Sequence, residues 1–173
     1  MFDLDQMYTH QTWRTALSAG DIVLFPFPLR DGAAEPRLRP CLVLEVERRG
    51  AEPRMILAPG TPHLTRARDA YDVDVFLAKE IRAAGLAVAC RFRAARPLSV
   101  PFDYPRLHTA GPALSPVIGR TTGRAQVRLQ RVRARLHAEH DCACERRREA
   151  ASRKMDVSVE PVPLRPRPDR PAR

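Results

Sequence analysis

Gly20-Asp-Ile-Val-Leu-Phe-Pro-Phe-Pro-Leu-Arg-Asp-Gly-Ala-Ala-Glu-Pro-Arg-Leu-Arg-Pro-Cys-Leu-Val-Leu-Glu-Val46 holds two strand-like runs around a polar loop that ends in Arg39-Pro40. Gly20-Asp21 is a turn signal. Ile22 to Phe27 is rich in β-branched and aromatic residues, which suit a pleated, half-buried surface. Pro26 and Pro28 are two apart, so their missing N–H groups point the same way, as at a strand end or sheet edge. In the second run Leu42, Leu44 and Val46 share one face and Glu45 and Glu47 the other, the period-2 pattern of a half-buried strand.

A third run, Met55-Ile-Leu-Ala58, follows the turn-like Arg48-Arg-Gly-Ala-Glu-Pro53, so the second and third runs read as a hairpin with its tip near Gly50. Antiparallel pairing then sets Arg39 and Thr61 across from each other at the open end. A cation and a hydroxyl meeting at a sheet end suit a phosphate.

The rest continues in short pieces with Gly/Pro punctuation. Tyr71-Asp-Val-Asp-Val-Phe-Leu77 and Leu86-Ala-Val-Ala-Cys-Arg-Phe92 read as strands, Ala78 to Ala84 as one helical turn or an irregular link, and Tyr104 to Pro116 as a loop. This argues for a mainly β fold, a small antiparallel barrel with flanking helices. Thr121 or Thr122 is placed to cap a C-terminal helix. Ala125, Leu129, Val132 and Leu136 form its apolar stripe. Arg124, Arg128, Arg131 and Arg135 form a second stripe, either a solvated face or a nucleic-acid surface. Residues 1–19, with Phe2, Leu4, Met7, Tyr8, Trp13 and Leu17, read as a helical extension over a barrel edge or a dimer surface.

The 173 residues suffice for one domain with a modest core, and the 44% hydrophobic fraction is ordinary. The net charge of +10 is uneven: residues 1–119 carry 15 basic and 13 acidic groups, residues 120–173 carry 15 and 7. Such asymmetry suits an acidic partner such as nucleic acid, or a solvated basic tail. No apolar run approaches the length of a membrane span, and the N-terminus lacks the pattern of a signal peptide, so a cytoplasmic protein is expected. Cys41 and Cys90 lie in strand-like runs and read as reduced core residues. His137, His140, Cys142 and Cys144 show a C-x-C spacing with no second cysteine pair, so no structural zinc site is signalled, and no metal or other cofactor is expected. Beyond Asp141 the apolar periodicity stops. Residues 139–173 read as an Arg/Pro-rich disordered tail.

Gly20-Asp-Ile-Val, Arg39-Pro-Cys-Leu-Val-Leu and Ile56-Leu-Ala-Pro-Gly-Thr61 resemble the three N-terminal motifs of PemK/MazF-type toxins. Gly85-Leu86 followed by Arg91-Phe92, and Val117-Ile-Gly-Arg120 before a helix, are similar to two later motifs of that family. The likeness spans roughly residues 20–138. It implies an SH3-like barrel of the PemK/MazF/CcdB kind with a closing helix. It also implies a metal-independent endoribonuclease that cuts single-stranded RNA, works as a homodimer and is silenced by an antitoxin protein. In this chemistry the RNA's own 2′-OH attacks. The protein supplies donors for the in-line phosphorane and a proton for the leaving oxygen. Carried over, Arg39 and Thr61 bind the phosphate, and Arg91 is a second phosphate ligand or proton donor. Arg37, Arg66, Arg68 and Arg93 are candidates for holding RNA. Three positions depart from the family pattern. Pro62 replaces a common Ser and Cys90 a Thr. Arg93 stands where many members carry an Asp, which moves the base role to a neighbour such as His63. Two alternatives stand beside this reading: a barrel that holds nucleic acid without cutting it, and a protein-interaction module.

Overall fold

The structure, a computed structural model, describes residues 13–27, 37–48, 50, 52–62, 69–105, 107 and 115–156, with side chains to residue 152. Among these residues lie seven strands, β1 (Asp21–Phe27), β2 (Arg37–Glu47), β3 (Arg54–Thr61), β4 (Asp72–Val75), β5 (Cys90–Arg93), β6 (Leu98–Pro101) and β7 (Val117–Arg120). Two helices complete the set, α1 (Ala78–Ala83) and α2 (Gly123–Asp156). The sheet runs β4-β5-β3-β2-β1-β7, with β6 paired to β3, and all its pairings are antiparallel. The fold is therefore mainly antiparallel β, a curled sheet with a C-terminal helix. Among the described residues no helix is long and apolar enough to cross a membrane.

The expected hairpin is present. Met55 pairs with Val46, and the tip holds Gly50 at φ 123°. A bulge between Val43 and Glu45 shifts the register by one residue within the hairpin. Pro26 sits where β1 has a ladder partner on one side only, since β7 reaches no further than Val23. Both faces of the central strands are covered: Cys41, Leu42, Val43 and Leu44 are all buried. On one face Val23, Phe25, Cys41, Val43, Met55 and Leu57 join a core with Trp13, Leu17, Val100 and Phe102. Residues 13–16 form a helical turn whose last carbonyls are held by the Arg48 guanidinium, 3.0 Å from Thr15 O and 2.7 Å from Leu17 O. Of the N-terminal extension, Trp13 and Leu17 are buried in this core; residues 1–12 lie outside the described set.

The motifs at the start of β1 and the end of β7 meet. Asp21, buried at the start of β1, accepts a 2.7 Å bond from Arg120 Nε at the end of β7, and Thr121 N donates to Gly20 O. Gly85 explains itself in the same region. At φ +65° it lets the end of α1 approach β7 so closely that a Cβ would stand 2.0 Å from Ile118 O.

Three local expectations are corrected. The segment from Leu86 pairs as a strand only over Cys90–Arg93. The first turn of α2 is met from across the fold, while the Thr121 hydroxyl faces Gly20 O and Gln126 Oε1. Arg124 N donates to Glu80 Oε1 at 2.7 Å, so a buried carboxylate from α1 meets the positive end of α2. Finally, α2 continues to Asp156, past the expected boundary at 138. Residues 139–156 are helix because Ala, Glu and Arg, which dominate Ala143 to Ala151, favour it without any apolar stripe. The chain divides into two compact units at Arg135/Leu136; residues 157–173 lie outside the described set.

In the first unit Ala125, Leu129 and Val132 are buried as the stripe predicts. The arginine stripe is partly consumed by the fold. Arg128 Nε donates to Asp72 O at 3.0 Å, and Arg135 stacks on Tyr71 at 4.7 Å. These two guanidinium groups tie α2 to the entry of β4.

Candidate active site

The site is a single lateral row of residues across five strands. Phe25 pairs with Arg39 between β1 and β2, Thr61 with Arg91 between β3 and β5, and Arg91 with Asp74 between β5 and β4. Carrying the Cys41–Pro59 register two residues further sets Arg39 opposite Thr61. Adjacent strands lie about 4.8 Å apart, so Arg39 and Arg91 flank Thr61 within about 10 Å of each other. Gly60 makes this closeness possible. A Cβ there would stand 2.7 Å from both Pro40 O and Cys90 Sγ, so only glycine lets β3 pass between β2 and β5.

Arg39 is half-buried at the end of its strand, and among the described residues it forms no ion pair with a carboxylate. Thr61 is half-buried beside it. A guanidinium fork and a hydroxyl in this relation can take two or three oxygens of a phosphate. Arg37, two residues before Arg39 on the strand, is exposed and sits opposite Phe27.

Arg91 is buried and carboxylate-bound. It is 6% exposed. Its Nε donates to Asp74 Oδ1 at 2.7 Å and its second terminal nitrogen to Asp74 Oδ2 at 3.2 Å, with Asp72 Oδ2 at 3.7 Å. Hydrogen bonding to Asp74 holds the guanidinium more firmly charged against the cost of burial. Arg91 is thus a braced, buried cation within the row, and its fork faces Asp74. The carboxylate that orients the Arg91 guanidinium thus comes from β4. Sequence reasoning missed Asp74 and Asp72. The signal was present in Asp72-Val-Asp74, whose period-2 spacing puts both acids on one face opposite Arg93 and Arg91.

Arg93 is exposed at the strand end. With Phe27, Pro59, Asp69, Asp72 and Arg96 it lines a cleft of about 360 Å³ next to the row. His63, Arg66 and Arg68 lie outside the described residues. Among the described residues no cluster of three or more His, Cys, Asp or Glu side chains is arranged to hold a metal ion.

Cys41 and Cys90 flank Gly60, and both are free and buried, as expected of reduced core residues. Burial pushes each thiol up to about 12, against the smaller pull of the backbone at Gly60 and Thr61. The folded state therefore keeps these thiols protonated where the unfolded chain ionises them, near pH 8.5. Stability is full below that pH and declines as pH rises toward about 12. An alkylating reagent at mildly alkaline pH is expected to modify Cys142 and Cys144 and to spare Cys41 and Cys90 until denaturant is added. Peptide mass mapping reads this directly; labelling of Cys41 in the native protein would show the row to be open.

Compared with known proteins, the sequence matches no family model and no curated protein.

Proposed function

We propose that this chain is an endoribonuclease of the PemK/MazF type, built on an SH3-like barrel, that cuts single-stranded RNA without a metal ion. The observation that carries the reading is the row Arg39–Thr61–Arg91–Asp74 at one end of the sheet. Arg39 and Thr61 grip the scissile phosphate, and Arg39 stabilises the charge that builds on its oxygens. Arg91, braced by Asp74, supplies a fixed positive potential beside them. The RNA's 2′-OH attacks the adjacent phosphorus and gives up its proton to solvent, the bond to the 5′-oxygen breaks and that oxygen leaves with a proton from solvent, so the protein needs no nucleophile of its own. The exposed Arg37 and Arg93 hold the flanking backbone, and the cleft at Phe27 offers an aromatic face to an unpaired base. A homodimer and an antitoxin partner belong to the same proposal.

The test is a long single-stranded RNA incubated with purified protein in EDTA. Discrete fragments ending in a cyclic 2′,3′-phosphate are expected. An RNA left whole by folded protein overturns the reading. One observation favours a second function, a barrel that holds nucleic acid without cutting: the fork of Arg91 is engaged by Asp74 in two bonds. That function shows itself as RNA affinity that falls steeply with salt while the RNA stays intact.

A further inference from the structure

The helix α2 carries a feature that the ribonuclease reading does not use. Cys144 Sγ lies 3.4 Å from His140 Nε2. The two residues are one helical turn apart, so their side chains share a face. Both belong to the second compact unit; His140 is exposed and Cys144 half-buried. A tetrahedral zinc ion takes sulfur at about 2.3 Å and imidazole nitrogen at about 2.0–2.1 Å, which separates two such ligands by about 3.5 Å. The Cys144–His140 distance therefore matches the bite of one ion held by both atoms. Cys142 stands on another face of the helix, two residues along from His140. No third ligand from the described part of the same chain joins the pair.

We propose that Cys144 and His140 form half of a binding site for a soft divalent ion of the zinc class, completed by the same pair from a second copy of this chain. A tetrahedral ion has four positions, and one chain fills two of them. A twofold axis brings identical surfaces together, so a two-ligand half-site is doubled by it without any new residue. The resulting Cys2His2 set carries two thiolates, which cancel the charge of the ion. Each thiol gives up its proton to solvent as its bond to the metal forms, so binding weakens as pH falls. His140 binds through Nε2.

The reduced full-length chain is stripped with chelator and titrated with Co²⁺, then with Zn²⁺. The expected result is a thiolate-to-cobalt charge-transfer band together with the intense visible bands of a tetrahedral ion, saturating at roughly one ion per two chains, and bleached by Zn²⁺. Cys144→Ser and His140→Ala each remove these bands, and Cys142→Ser leaves them in place. Absence of the charge-transfer band, or its survival in Cys144→Ser, overturns the site. Saturation at one ion per chain with one thiolate each overturns its completion by a second copy. Helicity by circular dichroism checks that each variant keeps α2. The readout is spectroscopic and independent of RNA cleavage, which is assayed in EDTA, so the two proposals fail separately.

Discussion

Replacing Arg39 with alanine is expected to slow RNA cleavage by about 10²- to 10³-fold, the usual cost of removing one preorganised donor to a developing oxyanion. The fold should barely notice. Arg39 is half-buried at a strand end, and no described carboxylate depends on it. Arg39→Lys keeps the charge but loses the planar fork, so it should fall between the two. If the wild type binds RNA without cutting it, the same variant instead weakens affinity across all sequences and lowers the salt dependence by about one phosphate contact. Equal cleavage by wild type and Arg39→Ala would remove Arg39 from the site and with it the reading of the row.

Asp74→Ala is expected to lower stability by roughly 2–4 kcal/mol, below the top of the range for a broken buried ion pair because Asp74 keeps 14% exposure of its side chain. The variant removes both short bonds to the Arg91 guanidinium and leaves Asp72 as a carboxylate at 3.7 Å. Replacing both Asp74 and Arg91 with apolar residues should recover part of the loss, because no charge is then left uncompensated. Urea unfolding measures this as a lower midpoint at unchanged slope. A midpoint equal to wild type would mean that the pair contributes nothing to holding β4 against β5. The same variant separates the roles of the two arginines: activity lost at a temperature where the protein is fully folded assigns Arg91 a positioning part in the chemistry.

The parts of the fold that could be read from sequence are those set by short-range pattern. Alternation in Cys41–Val46 and the Gly50 turn are enough to fix a hairpin, and its register, continued two residues past Cys41–Pro59, sets Arg39 across from Thr61. Gly20-Asp21 and Gly119-Arg120 could be seen as motifs, while the reason for them, an ion pair between strand ends 99 residues apart, needed three dimensions. Asp74 was legible as an alternating acid. Its partnership with Arg91 depends on which strand lies beside β5, and a hairpin-by-hairpin reading does not supply that. The extent of α2 was missed because the criterion was amphipathicity, and a helix built from Ala, Glu and Arg keeps its shape by intrinsic preference alone. Arg128 and Arg135 looked like a uniform stripe with Arg124 and Arg131; only the neighbouring carbonyls and Tyr71 distinguish them.

The chain contains one tryptophan, and it is placed where it can serve as an optical marker for a single event. Trp13 is 7% exposed, with its ring 5.9 Å from that of Phe102, on a segment whose carbonyls are held by Arg48. Its emission should be blue in the native protein and shift red when that segment leaves the core, whatever α2 is doing. The far-ultraviolet signal is weighted toward the long helix. Following both during denaturation gives two clocks on one molecule: coincident transitions mean that the N-terminal segment and the helix unfold together, and a gap between them gives the order in which they let go.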